Sequence, residues 1–142
     1  MKRLLLVLLF VVPSVFADDH GKADQPIIFT IDIEIVEGKA AVFAELVNKM
    51  VPAVRGSEPE TQHYHYFGSP DGYKVTLLEV YPSNKAAIAH MDAFAVSPYR
   101  AEFLSLITIK SFQVVGEANS QLKEVMAPFT SDFRAPIAGF SR

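Results

Sequence analysis

The 142 residues contain no cysteine and no tryptophan. Without cysteine there is no thiol nucleophile, no Cys-ligated zinc or iron–sulfur centre, no disulfide framework and no lipidated N-terminal cysteine. Charge is sparse as well: 20% of residues are charged, and 13 Lys+Arg face 16 Asp+Glu. A formal charge of −3 supplies no basic face to replace counterions, so nucleic acid is not an expected partner. The sequence has no Gly-rich phosphate loop, no nucleophile elbow and no His-Glu-x-x-His, which leaves nucleotide and hydrolase chemistry unsupported. Its length suits one core of ~100–150 residues and leaves no room for a two-domain dinucleotide enzyme.

The longest apolar run stands at the start. Lys2 and Arg3 precede the unbroken stretch Leu4–Val12, and Val15-Phe16-Ala17 closes it with small-residue character. A spanning helix needs ~20 apolar residues, so residues 1–17 read as a cleaved signal peptide rather than a stable membrane anchor. The expected location is periplasmic or secreted. Residues 18–26 are polar and aperiodic, a flexible leader.

Periodicity then organises the chain. Ile27–Ile35 alternates, with Ile27, Phe29, Ile31, Ile33 and Ile35 on one face and Thr30, Asp32 and Glu34 on the other, as a half-buried strand requires. Lys39–Val51 sets Phe43, Leu46, Val47 and Met50 at helical spacing. Pro52 is expected to kink or end that helix, with Arg55-Gly56-Ser57 as the turn. Thr61–Phe67 and Tyr73–Tyr81 are strands joined by Ser69-Pro70-Asp71-Gly72, a turn sequence. Ser83 can cap a helix from Asn84 to about Ala95. A helical turn after Pro98, a strand Thr108–Val115, a short helix Ser120–Ala127 and a tail Pro128–Arg142 complete the reading. The order is β-α-β-β-α-β: an α+β, ferredoxin-like domain over residues 27–116, with a four-stranded antiparallel sheet and a C-terminal helix and tail at 117–142. Helices on one side leave the sheet's other face in need of a partner, and a homodimer through the sheet is the expected solution.

The chemistry-bearing residues leave alternatives open. Of four histidines, His20 lies in the leader, and His63 and His65 share one strand face. That pair could chelate a metal with His90 or Glu79 as a third ligand, or stand exposed with none. His90 lies with Ala86, Ala87, Met91 and Phe94 on one helix face, as a base at an apolar pocket or as a core-edge imidazole bonded to a carbonyl. Glu79 shares a face with Leu77 and Tyr81, where a charge is costly unless paired; it could orient His90, pair with Arg100, or be a structural ion-pair partner. Tyr64, Tyr66, Phe67, Tyr73, Tyr81, Phe94 and Phe112 could line a site for a flat ligand or simply fill the core.

Glu58-Pro59-Glu60-Thr61 followed by Tyr64, then Leu78-Glu79-Val80-Tyr81, then Ala86-Ala87-Ile88-Ala89-His90, resembles the antibiotic biosynthesis monooxygenase family over Ile27–Val115. The resemblance implies a dimeric α+β barrel and a cofactor-independent monooxygenase that takes a quinol-like or phenolic small molecule and dioxygen. Carried over by position, His90 is the catalytic base or hydrogen-bond donor. Tyr64 and Glu79 orient it or the substrate, and Phe94 and Tyr81 line the pocket with Tyr66 and Phe112. Glu60 stands where the family has Gly. The missing Trp removes the haem-degrading activity of some members, and the export signal departs from the cytoplasmic ones. A non-enzymatic periplasmic binder of a small apolar ligand, or a metal protein through His63 and His65, is the alternative. The tail, with Phe129, Phe133 and Phe140, could dock on a partner subunit or cover the pocket.

Overall fold

A computed structural model describes residues 25–140. The expected signal peptide, most of the leader and His20 lie outside the described residues. Among those described, no helix is long and apolar enough to cross a membrane.

Strand β1 (Ile27–Ile35) is the strand that the alternation demands, and its odd-numbered side chains are all buried. Every second residue is isoleucine or phenylalanine, so only one register keeps that row out of water. The remaining elements follow in the order α1 (Ala40–Ser57), β2 (His63–Gly68), β3 (Lys74–Tyr81), α2 (Asn84–Val96), α3 (Arg100–Ser105), β4 (Ile107–Val115), α4 (Ser120–Met126) and β5 (Asp132–Arg134). The sheet order is β2-β3-β1-β4-β5. Its first four strands are antiparallel, the ferredoxin-like arrangement. The fifth, three residues from the tail, runs parallel to β4 and widens the expected four-stranded sheet.

Helix α1 departs from the sequence reading. Pro52 sits inside it and does not end it; Arg55-Gly56-Ser57 form its last turn rather than a loop. Proline deletes one backbone donor. Around that gap, buried Phe43, Leu46 and Met50 hold the helix to the core, while Ser57 Oγ donates to the Ala53 carbonyl at 2.9 Å. Helix α2 begins as expected: Ser83 Oγ accepts from the Ala86 amide at 3.1 Å.

Strand β4 carries a register shift against β1 opposite Asp32 and Ile33. Asp32 faces Ser111 while Ile33 faces Ile109, so Lys110 is the extra residue of a bulge. Buried Phe112 and Val114 then share the helix-covered side with Ile107 and Ile109 instead of alternating away from them. On that side the β1 row, Val75, Leu77 and Tyr81 from β3, and Phe112 and Val114 from β4 form one core with the buried residues of α1, α2, α3 and α4.

Candidate active site

The odd residues of β3 point into the core, which puts Glu79 between Leu77 and Tyr81 at 3% exposure. Helix α2 lies above this point. Ala86 and Ala87 face the core with almost no side chain, and one turn later the same face presents His90, 6% exposed. An imidazole and a carboxylate thus meet at the helix–sheet boundary, with His90 Nε2 3.6 Å from Glu79 Oε1. A third group arrives from the end of α1. Glu58, its C-cap residue, places Oε2 2.7 Å from His90 Nδ1 and accepts from Thr61 Oγ1 at 3.0 Å.

These contacts divide the imidazole's two nitrogens. A carboxylate only accepts, so Nδ1 donates to Glu58 and carries the proton in the neutral ring. Nε2 lies beyond hydrogen-bond reach of Glu79 and is the nitrogen that can give or take a proton. Burial works to lower the His90 pKa, but the charge of Glu79 and the bond and charge of Glu58 outweigh it and raise it. Burial raises the Glu79 pKa, against the opposing pull of His90 and of the Tyr81 hydroxyl, which donates to Oε2 at 2.9 Å. Tyr64, with its hydroxyl 2.7 Å from that of Tyr66, is held neutral chiefly by burial and then by the Glu79 charge. The result is a compact acid–base array: two carboxylates on one imidazole, with phenolic donors behind it.

The array opens on an apolar pocket of about 40 Å³. Tyr64, Glu79 and His90 form its polar end; Ile31, Leu77, Met91, Phe94, Phe103 and Phe112 form the walls. Leu104, Ile107, Ile109 and Phe129 lie on the more exposed side. A second, larger cleft of about 440 Å³ lies between the end of α1 and α2 and meets the pocket at Tyr64, His90 and Phe94. Glu58 lines the cleft and not the pocket, whereas Glu79 lines the pocket and not the cleft. The proton-exchanging Nε2 therefore belongs to the pocket side.

Of the residues singled out in the sequence, His90, Tyr64, Glu79, Phe94 and Phe112 come together at this pocket. Tyr81 and Tyr66 do not line it. Tyr81 is fully buried, its ring against Phe29 at 5.1 Å and its hydroxyl spent on Glu79. Tyr66 packs on Phe43 and Phe103 and reaches the site only through Tyr64. Arg100 does not pair with Glu79; its guanidinium lies over the Phe94 ring at 5.8 Å. His63 and His65 are exposed on the opposite face of the sheet, so neither His90 nor Glu79 can complete a metal site with them. No group of three or more candidate metal-binding side chains occurs among the described residues. Sequence reasoning missed Glu58 as a partner of His90 and Phe103 as a lining residue, while Phe129 of the tail, one of three phenylalanines expected to cover the pocket or dock on a partner, does line it. The first stood in the quoted Glu58-Pro59-Glu60-Thr61 motif; Phe103 had only its aromatic character, in the helical turn after Pro98, as a signal.

No protein-family model and no curated protein sequence matches this chain. Solved structures do. MupZ from Pseudomonas fluorescens superposes with a TM-score of 0.74 at 21% identity, over 86% of this chain and 93% of that one. SnoaB, a cofactor-independent oxygenase from Streptomyces nogalater, gives 0.56 at 12% identity, over 68% and 96%. Rv0793 from Mycobacterium tuberculosis gives 0.52 at 20% identity, over 68% and 98%. The fold is that of the antibiotic biosynthesis monooxygenase-like proteins. Within this monooxygenase-like fold the likeness to MupZ covers more than residues 1–116 can supply, so it takes in part of the C-terminal extension.

Proposed function

We propose that this chain is a cofactor-independent monooxygenase acting on a quinol-like or phenolic small molecule. The observation that carries the reading is the His90 Nε2 side, which shares an apolar pocket with Glu79 and Tyr64 while Glu58 holds the other nitrogen. A phenolic hydroxyl seated there gives its proton to neutral Nε2. The resulting electron-rich anion reduces dioxygen; where a ring C–H of the phenol is carried to a quinone carbonyl, one oxygen atom goes to carbon and the other leaves as water. The substrate supplies every electron, so no reductant is needed, and the greasy walls keep water from the intermediates. The fold shared with SnoaB, a cofactor-independent oxygenase, supports this reading. The pocket is smaller than the ~300–1,000 Å³ of ordinary ligand sites, so a ring enters by displacing the aliphatic side chains of Leu104, Ile107 and Ile109 on its exposed side.

The test is oxygen uptake in chelator-treated, metal-free buffer with 1,4-hydroquinone or catechol. Stoichiometric uptake with oxidised product is the expected result, and binding of both compounds without uptake would end the oxygenase reading. A second reading rests on the paired acid and base: Glu79, whose pKa burial raises, stands 3.6 Å from the imidazole Nε2, which suits proton transfer with no oxidation. Turnover of a substrate under nitrogen would select it.

Export to the periplasm or exterior belongs to the same proposal, supported by Lys2, Arg3 and the apolar run Leu4–Val12. So does a homodimer through the sheet: the uncovered face carries Ile28, Leu78, Val80 and Val115, all half-buried in the single chain.

A further inference from the structure

The segment after Gly116 is not a loose tail. Gly116 itself has φ +122, and a side chain there would meet the Pro26 carbonyl oxygen at 2.6 Å, so the chain leaves β4 through a turn that only glycine permits. Helix α4 buries Leu122 and Met126 completely. Asn84, at the start of α2, holds the approach to it at both ends of its amide, donating to the Glu117 carbonyl at 3.0 Å and accepting from the Asn119 amide at 2.9 Å. Beyond α4, Thr130 Oγ1 donates to the Phe112 carbonyl, and Phe133 pairs in register with Val114. Between these two fastenings stands Phe129, partly exposed, its ring 6.4 Å from Phe112 and facing the pocket that Glu79 and His90 close at the other end.

We propose that Phe129 is a specificity-determining residue, the fixed wall through which the C-terminal extension limits the site to single-ring phenols or quinols. This rests on the phenolic reading of the pocket given above. The extension is anchored on both sides of residue 129, so the ring acts as a stop rather than a swinging lid. Removing it opens the exposed side of a pocket of only about 40 Å³, without touching the acid–base array. Phe133, from the same extension, does not line the pocket, and its ring lies under the Lys123 ammonium at 5.7 Å.

The experiment compares phenol with 1-naphthol, two probes that need no turnover, by calorimetric titration of the full chain. Wild type is expected to prefer phenol, and Phe129→Ala to shift the naphthol-to-phenol affinity ratio by about tenfold or more toward naphthol, the scale that small changes in an apolar pocket produce. Phe129→Leu is expected to give a smaller shift in the same direction and serves if the alanine variant fails to fold. Phe133→Ala is expected to leave the ratio at the wild-type value. An unchanged ratio in Phe129→Leu and Phe129→Ala, or an equal shift in Phe133→Ala, overturns the assignment of Phe129 while leaving the phenolic site standing. Failure of every form to bind either probe overturns both.

Discussion

Asp32 and Glu79 sit on neighbouring strands of one sheet and face opposite ways. Asp32, on the open face, accepts hydroxyl bonds from Thr76 at 2.6 Å and Ser111 at 2.8 Å, and these bonds lower its pKa. Glu79, on the helix-covered face, has one hydroxyl donor and an imidazole just outside hydrogen-bond reach, and burial drives its pKa up. The histidines divide the same way: His63 and His65 are exposed on the open face, and His90 is enclosed with carboxylates at both nitrogens. The side of a strand, more than the residue type, decides whether an ionisable group is a solvated surface charge or a poised proton carrier.

The sharpest break of that comparison is at histidine. His90→Ala is expected to reduce oxygen uptake by about 10²–10⁴-fold, with the far-ultraviolet circular dichroism unchanged, whereas the paired change His63→Ala and His65→Ala leaves the rate near wild type. Equal losses in the two variants would place the chemistry on the wrong face. Next in size is the carboxylate pair, measured by urea unfolding. Glu79→Ala leaves the Tyr81 hydroxyl buried without its acceptor and is expected to cost about 1–3 kcal/mol. Asp32→Ala, exposed and screened by solvent, is expected to cost below about 1 kcal/mol.

The two faces also carry opposite pH signs. Glu79 is raised above 4.5 and His90 above 6.5, so both bind protons more tightly when folded. Their contribution is fully present below those unfolded values and is lost as pH rises through the higher folded ones. Asp32 is lowered from 3.8, so its contribution is present above that value and lost as pH falls through the folded one. Stability is therefore expected to decline as pH is raised above the unfolded values of Glu79 and His90, and Glu79→Gln should flatten that decline. A decline just as steep in the variant would show that Glu79 is not its source.

Much of this was readable in the sequence because the pattern was local. The alternation of Ile27–Ile35 gave β1 its bounds and its inward face, and the same two-residue rule put Glu79 with Leu77 and Tyr81. Helical spacing put His90 with Ala86, Ala87 and Met91 on the buried face. What escaped depended on contacts far apart in the chain. Glu58 and His90 lie 32 positions apart, and no spacing rule joins a helix C-cap to the middle of another helix. Pro52 argued for an ending, but the packing of α1 against the core outweighed one missing hydrogen bond. Strand β5 has three residues and no alternation long enough to detect; only its pairing with β4 defines it. Tyr66 and Tyr81 share the inward face with the lining residues, yet packing depth, which sequence does not carry, sets them behind the cavity wall.

The spare residue at Lys110 makes the bulge in β4 a constraint of its own. Were the bulge flattened into regular alternation with every residue kept, Ile107 and Ile109 would change phase against Phe112 and turn to the solvent side, draining the mouth of the chamber of its oil. Loss of Lys110 itself closes the bulge and sets Ile109 two positions from Phe112, so both halves of the strand would go on looking at the same imidazole.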